Sequence, residues 1–290
     1  MSAPVSPPPI ATLLVACPDR KGIVASLAQV LYGHGANILD SDQHTDPVAQ
    51  LFFQRIRFDL SSLTTDRVSL EAALREVGER FAMDWRIAYA SQVRRIAVLA
   101  SKLEHCLYDL LVRHRAGELA CEIAMVVSNH AEPGPIAAHF GVPFHHLPVT
   151  ADTRAAQEAQ LAALVDGAGV ELIVLARYMQ ILSADLVLRY PSRIINIHHS
   201  FLPAFIGANP YRQAYVRGVK LIGATSHYVT AELDQGPIID QATIACSHRD
   251  SVDDLVRKGR DLEKRVLASA VRWHLEDRIL VYAGKTVVFD

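Results

Sequence analysis

The sequence predicts an α/β protein in two parts: an N-terminal ferredoxin-like unit of order βαββαβ, then a mainly parallel, doubly wound sheet. Three observations predict it. At 290 residues the chain is long enough for two domains, since single cores stop growing near ~250 to 300 residues and domains centre on ~100 to 150. Before residue 90, strand-like runs and helical stripes come in the order strand, helix, strand, strand, helix, strand. From Arg95 onward strand and helix alternate, and the strands are near-continuous apolar runs, as in a parallel sheet covered on both faces. The division that follows is a disordered leader over 1–9, a first domain over 10–90, a polar connector over 91–94 and a second domain over 95–290.

In the first domain, Ala11 to Cys17 is a short apolar run ended by Pro18, which suits a strand. Pro18 to Gly22 turns into a helix in which Ile23, Val24, Leu27, Val30 and Leu31 form one stripe, stopped by Gly33 and Gly35. Asn37 to His44 reads as the second strand. Between Gln50 and Leu60, Phe52, Ile56, Phe58 and Leu60 share one face while Arg55 and Arg57 take the other, so this sheet is expected to be wet on one side. Leu70, Leu74, Val77 and Phe81 mark the second helix, and Trp85 to Tyr89 closes the fourth strand.

The second domain opens with Ile96 to Ala100, followed by a helix near Glu104 to Arg115. Next come Cys121 to Val127 with a helix from Pro135 to Phe140, and Phe144 to Leu147 with a helix from an N-cap at Asp152 to about Val165. Leu172 to Ala176 precedes a helix capped by Ser183, and Ile194 to His198 is the next strand. A Pro/Gly-rich loop then leads to a strand over Gly223 to Val229. A strand near Ile238 to Ala245, a long helix from about Ser251 to Leu275 and a hairpin turning at Gly284 complete the chain. In such sheets ligands bind beyond the carboxyl ends of the strands, which is where Asn196, His198 and the loop after Ala176 fall.

Composition narrows the function classes. Hydrophobic residues make up 50% and charged residues 21%, a globular balance without a disorder signature. A formal charge of -2 gives no case for a nucleic-acid partner or an anionic membrane. The first nine residues lack a basic and an apolar signal region, and no run of about 18 uncharged apolar residues occurs, so the expectation is a cytoplasmic protein. Cys17, Cys106, Cys121 and Cys246 show no CxxC spacing and read as reduced thiols.

The chemistry concentrates between Asn196 and Asp240. Asn196 and His198 are two residues apart on a strand, so their side chains share a face. An amide and an imidazole together suit a developing oxyanion, one as a fixed donor and the other as a donor able to carry positive charge. Asp234, folded back onto His198, can hold an imidazolium and position a water. INIHHSFLP followed by TSHYVTAELDQGPII resembles the signature of the folate-dependent formyltransferase superfamily, whose catalytic Asn, His and Asp fall on Asn196, His198 and Asp234. That resemblance implies a supporting role for His227. It also makes Met179, Gln180, Ile181 and Leu182 the folate-binding loop, with main-chain groups of Gln180 and Leu182 facing the pterin and Met179 and Ile181 as walls. The folate is then substrate, and neither cofactor nor metal is expected.

The opening CPDRKGIVASLAQVLYGHGANILDSDQH resembles the ACT domain. It implies a possible amino-acid effector held by Asp19, Arg20, Lys21, Gly22, Ile23 and Asn37, and a homo-oligomer joined through this domain. The plainer alternative is that these residues shape a tight turn and a dimer face. A departure separates branches of the superfamily. Transferases acting on glycinamide ribonucleotide carry a Gly/Ser/Asn-rich phosphate loop after the first strand of this domain. Here that stretch is Ser101-Lys102-Leu103-Glu104-His105-Cys106-Leu107, without glycine. The combination resembles the deformylase branch, in which water takes the formyl group and formate and tetrahydrofolate result, in one-carbon metabolism and purine biosynthesis. Formyl transfer to an amine, and an amino-acid-sensing regulator without turnover, are the alternatives. A metal site built from His145, His146, His198, His199, His227 and Asp234 lacks ligand spacing, and Ser200 and Cys246 lack an activating pattern for covalent catalysis.

Overall fold

A computed structural model describes residues 9–150, 152–203 and 210–289. The leader over 1–8 and part of the Pro/Gly-rich loop, 204–209, lie outside the described residues. The first unit comprises β1 (Ile10–Pro18), α1 (Ile23–Gly33), β2 (Asn37–Asp46), β3 (Leu51–Asp59), α2 (Arg67–Phe81) and β4 (Asp84–Tyr89). Its antiparallel sheet has the order β2-β3-β1-β4, the ferredoxin-like arrangement the element order predicts. The helical stripes bury Ile23, Leu27, Leu31, Leu70 and Leu74 against Leu13, Val15, Phe52, Ile56 and Phe58.

The other face of this sheet is not wet. Phe53 and Leu14 form a second cluster with Phe289, and Arg55 is buried, its Nε donating to Asp277 O at 2.9 Å. The cover is the end of the chain itself, because Asp277–Tyr282 and the residues from Val287 group with the first unit. The expected second domain over 95–290 is therefore corrected at both ends. Its last residues belong to the first unit, and Arg94, assigned to the connector, is the first residue of β5 with a guanidinium bond to His274 O at 2.8 Å.

The second unit comprises β5 (Arg94–Ala100), α3 (His105–Arg115), β6 (Cys121–Ser128), α4 (Gly134–His139), β7 (Phe144–His146), α5 (Arg154–Gly167), β8 (Leu172–Ala176), α6 (Ala184–Arg189), β9 (Ile194–His198), α7 (Pro210–Arg217), β10 (Leu221–Tyr228), β11 (Ile238–Ala245) and α8 (Val252–Leu275). β12 (Ile279–Tyr282) and β13 (Lys285–Val288) form the terminal hairpin. The seven-stranded sheet runs β11-β10-β9-β8-β5-β6-β7, parallel from β7 to β9 and antiparallel at β10 and β11. The chain leaves β5 toward β6 and β7, then returns to β8 on the other side. This strand-order reversal opens a crevice at the carboxyl ends of β5 and β8.

Two local expectations change. Helix α5 begins after Thr153 rather than at an Asp152 cap, and Thr153 Oγ1 is engaged by Thr150 N at 2.9 Å. The segment read as loop between β9 and β10 contains α7. The Ser183 cap holds, accepting from Leu186 N at 3.2 Å, and α8 starts in a full Ser251/Asp254 capping box. No helix among the described residues is long and apolar enough to cross a membrane.

Candidate active site

A cavity of about 650 Å³ opens at the carboxyl end of the seven-stranded sheet, within the range of small-molecule sites. Asn196 and His198 enter it from β9, as their two-residue spacing predicts. β10 runs antiparallel beside them, and its register sets His227 opposite Asn196 and Thr225 opposite His198. Thr225 Oγ1 donates to Ser200 O at 2.9 Å and accepts from Leu202 N at 3.1 Å and Gln241 Nε2 at 2.9 Å. These bonds fix the chain where it leaves β9, so His198 sits on a rigid strand end.

Asp234 comes from the loop after β10. Its Oδ2 lies 3.3 Å from His198 Nδ1 and its Oδ1 3.7 Å from His227 Nε2. The contact with His198, then that with His227, holds its carboxyl well below the usual carboxylate range, against burial, which pushes it up. The loop is tightly specified: Asp234 has φ 56, and a side chain at Gly236 would overlap the Tyr228 carbonyl. His227 Nδ1 donates to Tyr228 O at 2.9 Å, which turns Nε2 toward both Asn196 Nδ2, at 3.3 Å, and Asp234 Oδ1. His198 Nε2, the nitrogen turned from Asp234, is buried without a hydrogen-bond partner among the described residues.

The loop after β8 forms another wall. Met179, Gln180, Ile181 and Leu182 all line the cavity, with Met179 57% and Ile181 60% exposed as apolar surface for a flat ligand. Met179 N donates to Ser101 Oγ at 3.0 Å, and Ser101 donates to Asn129 Oδ1 at 2.6 Å, so the loop is anchored to the end of β5. His199 is half-buried beside His198. Burial and the Arg177 charge lower its pKa to about 4, so it is a neutral packing ring near neutral pH.

A second group in the same cavity has no counterpart in the sequence reading. Glu263 of α8 is 1% exposed, 2.7 Å from His105 Nε2, and accepts from Tyr211 Oη at 2.5 Å, with Arg177 Nε 3.5 Å away. Burial pushes its carboxyl up, but the bond from His105 and the charge of Arg177 outweigh it and hold the group ionised. The legible signal was a glutamate in the apolar stripe of Leu255, Leu262, Val266 and Val271; Tyr211 stood in the unrecognised α7. Among the described residues, His105, Cys106 and Glu263 form the one cluster with metal-ligating atoms close together. The adjacent guanidinium and the hydrogen bonds already made to Glu263 oppose a cation there.

The effector residues are not gathered by one chain. Asp19, Arg20, Lys21 and Gly22 are exposed at the end of β1, whereas the Ile23 side chain is in the core. β1 ends opposite Leu51 and β2 starts opposite Asp59, so Asn37 lies at the far end of the sheet.

Residues 94–271 match the Formyl transferase family and residues 11–81 the ACT domain family. A formyltetrahydrofolate deformylase from Synechocystis is 53% identical over 279 residues, covering 96% of this chain and 98% of the relative. The crystal structure of a formyltetrahydrofolate deformylase from Pseudomonas syringae pv. tomato superposes with a TM-score of 0.94 at 47% identity, covering 97% of this chain and 94% of that one. Glycinamide ribonucleotide transformylase 1 from Symbiobacterium toebii matches 70% of this chain and 97% of its own, with a TM-score of 0.66 at 36% identity.

Proposed function

The chain belongs to the formyltetrahydrofolate deformylase family, and we propose from that premise that it hydrolyses 10-formyltetrahydrofolate to formate and tetrahydrofolate with Asn196, His198 and Asp234. The observation that carries the residue assignment is the ionised Asp234 carboxylate on His198 Nδ1 at 3.3 Å, with the opposite imidazole nitrogen unpartnered in the cavity wall. Water adds to the formyl carbon from a position held by Asp234. The developing oxyanion takes hydrogen bonds from Asn196 Nδ2 and from His198 Nε2, whose imidazolium form Asp234 balances. Collapse breaks the C-N bond; one water proton ends on the leaving nitrogen, and the other is released as formic acid ionises. The loop over 179–182 takes the pterin, and His227 orients both Asn196 and Asp234. Helix α3 starts at His105 without a side-chain cap and its approach carries Leu103 and Glu104, which supports water over a phosphorylated amine as acceptor. The test is formate release from 10-formyltetrahydrofolate without any acceptor, repeated with glycinamide ribonucleotide. Formate at equal rates in both is expected; formylated ribonucleotide as the main product overturns the reading.

We further propose that the first unit pairs with a second copy along β2 and takes an amino-acid effector there. β2 is an edge strand, exposed over most of its length, with Ile38 and Leu39 of β2 and Val24 and Tyr32 of α1 among the exposed apolar residues. Two β2 strands paired antiparallel about a two-fold axis bring Asn37 of one copy to the sheet end that carries Asp19 to Gly22 of the other. Calorimetry with a panel of amino acids is expected to find one that binds; no binding by any member leaves the unit a dimerisation element.

A further inference from the structure

Arg177 is the first residue beyond β8, and its side chain has no part in hydrolysis as derived above. The parallel register pairs Leu175 with Asn196, and Arg177, just beyond the end of β8, lines the same cavity as His198. Its backbone has φ 61, the left-handed region, where a residue with a Cβ is held under strain. Glycine would sit there without strain. The arginine is nevertheless buried, 7% exposed, leans on Glu263, and leaves Nε and Nη1 without a hydrogen-bond partner among the described residues. Unfilled buried donors in a cavity wall mark a place completed by a small ligand.

Its counter-ion is placed with equal expense of local stability. A Cβ at Gly259 would overlap the ring of Tyr211, so this glycine inside α8 lets Tyr211 lie on the helix and reach Glu263. Glycine in a helix interior is unfavourable relative to alanine. A strained arginine and a helix glycine thus converge on one ion pair in the wall of the cavity that His198 enters, with His105 on the same carboxylate.

We infer that Arg177, held against Glu263, is the acceptor-specificity residue of this site: its guanidinium occupies the approach beside His198 and reserves it for water. Water satisfies the unfilled donors without displacing them. An amine on a carbon chain has to move the guanidinium and leave Glu263 buried with only the bonds from His105 and Tyr211 against its charge. The inference rests on the hydrolytic reading. With water, the O-C bond forms and the C-N bond breaks as above. With an amine, an N-C bond forms instead and the amine proton passes to the leaving nitrogen.

The test compares wild type with Arg177→Gly and Arg177→Asn, both suited to left-handed backbone. Each is incubated with 10-formyltetrahydrofolate with and without glycinamide, a small primary amine lacking phosphate, and formate and N-formylglycinamide are quantified. Wild type is expected to give formate in both. The variants are expected to raise the share of formyl reaching glycinamide at least roughly 10-fold, the low end of what a change in pocket shape is worth. Formate alone from a folded, active variant overturns the inference. So does loss of both products in variants that still bind folate, because Arg177 then acts in the reaction rather than on the choice of acceptor. Should neither variant fold, as read by thermal melting, Glu263→Gln replaces them: it removes the counter-ion, and diversion to glycinamide supports the inference while an unchanged partition overturns it. Failure of hydrolysis itself is read separately, as no formate from wild type without acceptor.

Discussion

The two sheets present their polar residues in opposite ways. In the seven-stranded sheet Asn196, His198 and His227 occupy neighbouring ends of two antiparallel strands, and Asp234 folds over them, so four side chains meet through contacts of 3.3 to 3.7 Å. In the four-stranded sheet Asp19 to Gly22 and Asn37 are separated by the length of β3, eight residue steps from Leu51 to Asp59, or about 26 Å at 3.3 Å per residue. A site is complete within one chain when its residues share one end of a sheet. Residues spread over both ends need a second chain to become a site.

The gathered set should break most sharply. His198→Ala and Asp234→Asn are each expected to lower kcat by about 10² to 10⁴, the usual worth of an acid-base or oxyanion group, while folate binding, read by fluorescence quenching, persists. Near-normal turnover in either would remove these residues from the mechanism. Next in size is Gly236→Ala. A methyl there meets the Tyr228 carbonyl and must push the Asp234 loop outward. A displacement of about 1 Å costs roughly 10²-fold in rate. Wild-type kcat in that variant would mean that the loop adapts and that its tight packing is incidental to catalysis.

The same contrast explains what was legible in the sequence. Strand-end residues two apart, such as Asn196 and His198, declare a shared face by spacing alone, and Ser183 declares a helix start. Glu263, Tyr211 and Arg177 declare nothing of the kind, because their meeting depends on how α7, α8 and the turn after β8 pack together, a tertiary fact with no local period. The buried Arg55 failed for a related reason. Alternation on β3 read as one wet face, but the last residues of the chain, more than 200 positions away, supply the cover. Phe289→Ala tests that cover. Emptying this site should destabilise the first unit by about 3 to 5 kcal/mol, measured by urea unfolding, with kcat of the folded protein unchanged. A loss below about 1 kcal/mol would mean that Phe289 contributes little to the second face.

A smaller effect separates the regions by pH. His199, half-buried beside His198, has its folded pKa lowered to about 4 from 6.5. The unfolded chain therefore takes up this proton first as pH falls. The stability is fully present above pH 6.5 and is lost progressively toward pH 4, in all about 3 kcal/mol, and about 2 kcal/mol of it by pH 5. Asp234 acts in a separate window, since its depressed carboxyl contributes above the unfolded value of 3.8 and loses that contribution only at lower pH. His199→Gln is expected to flatten the stability profile between pH 6.5 and 4; an unaltered profile would assign that acid limb to another group.

The smallest expected effect on rate, and the one that most sharpens the comparison, concerns Ile38. It is 39% exposed on the edge strand β2, one residue after Asn37. If the spread residues become a site only across two copies, a lysine here should separate the copies, because edge lysines oppose strand addition. Ile38→Lys is therefore expected to lower the sedimentation mass of the protein and abolish any amino-acid response, while kcat stays at the wild-type value because every residue of the gathered site remains on one chain. An unchanged mass would place the joint elsewhere on the first unit. A fall in kcat together with mass would carry the larger lesson, since the catalytic sheet would then depend on the association of the other, and the contrast between a self-contained site and a shared one would no longer hold.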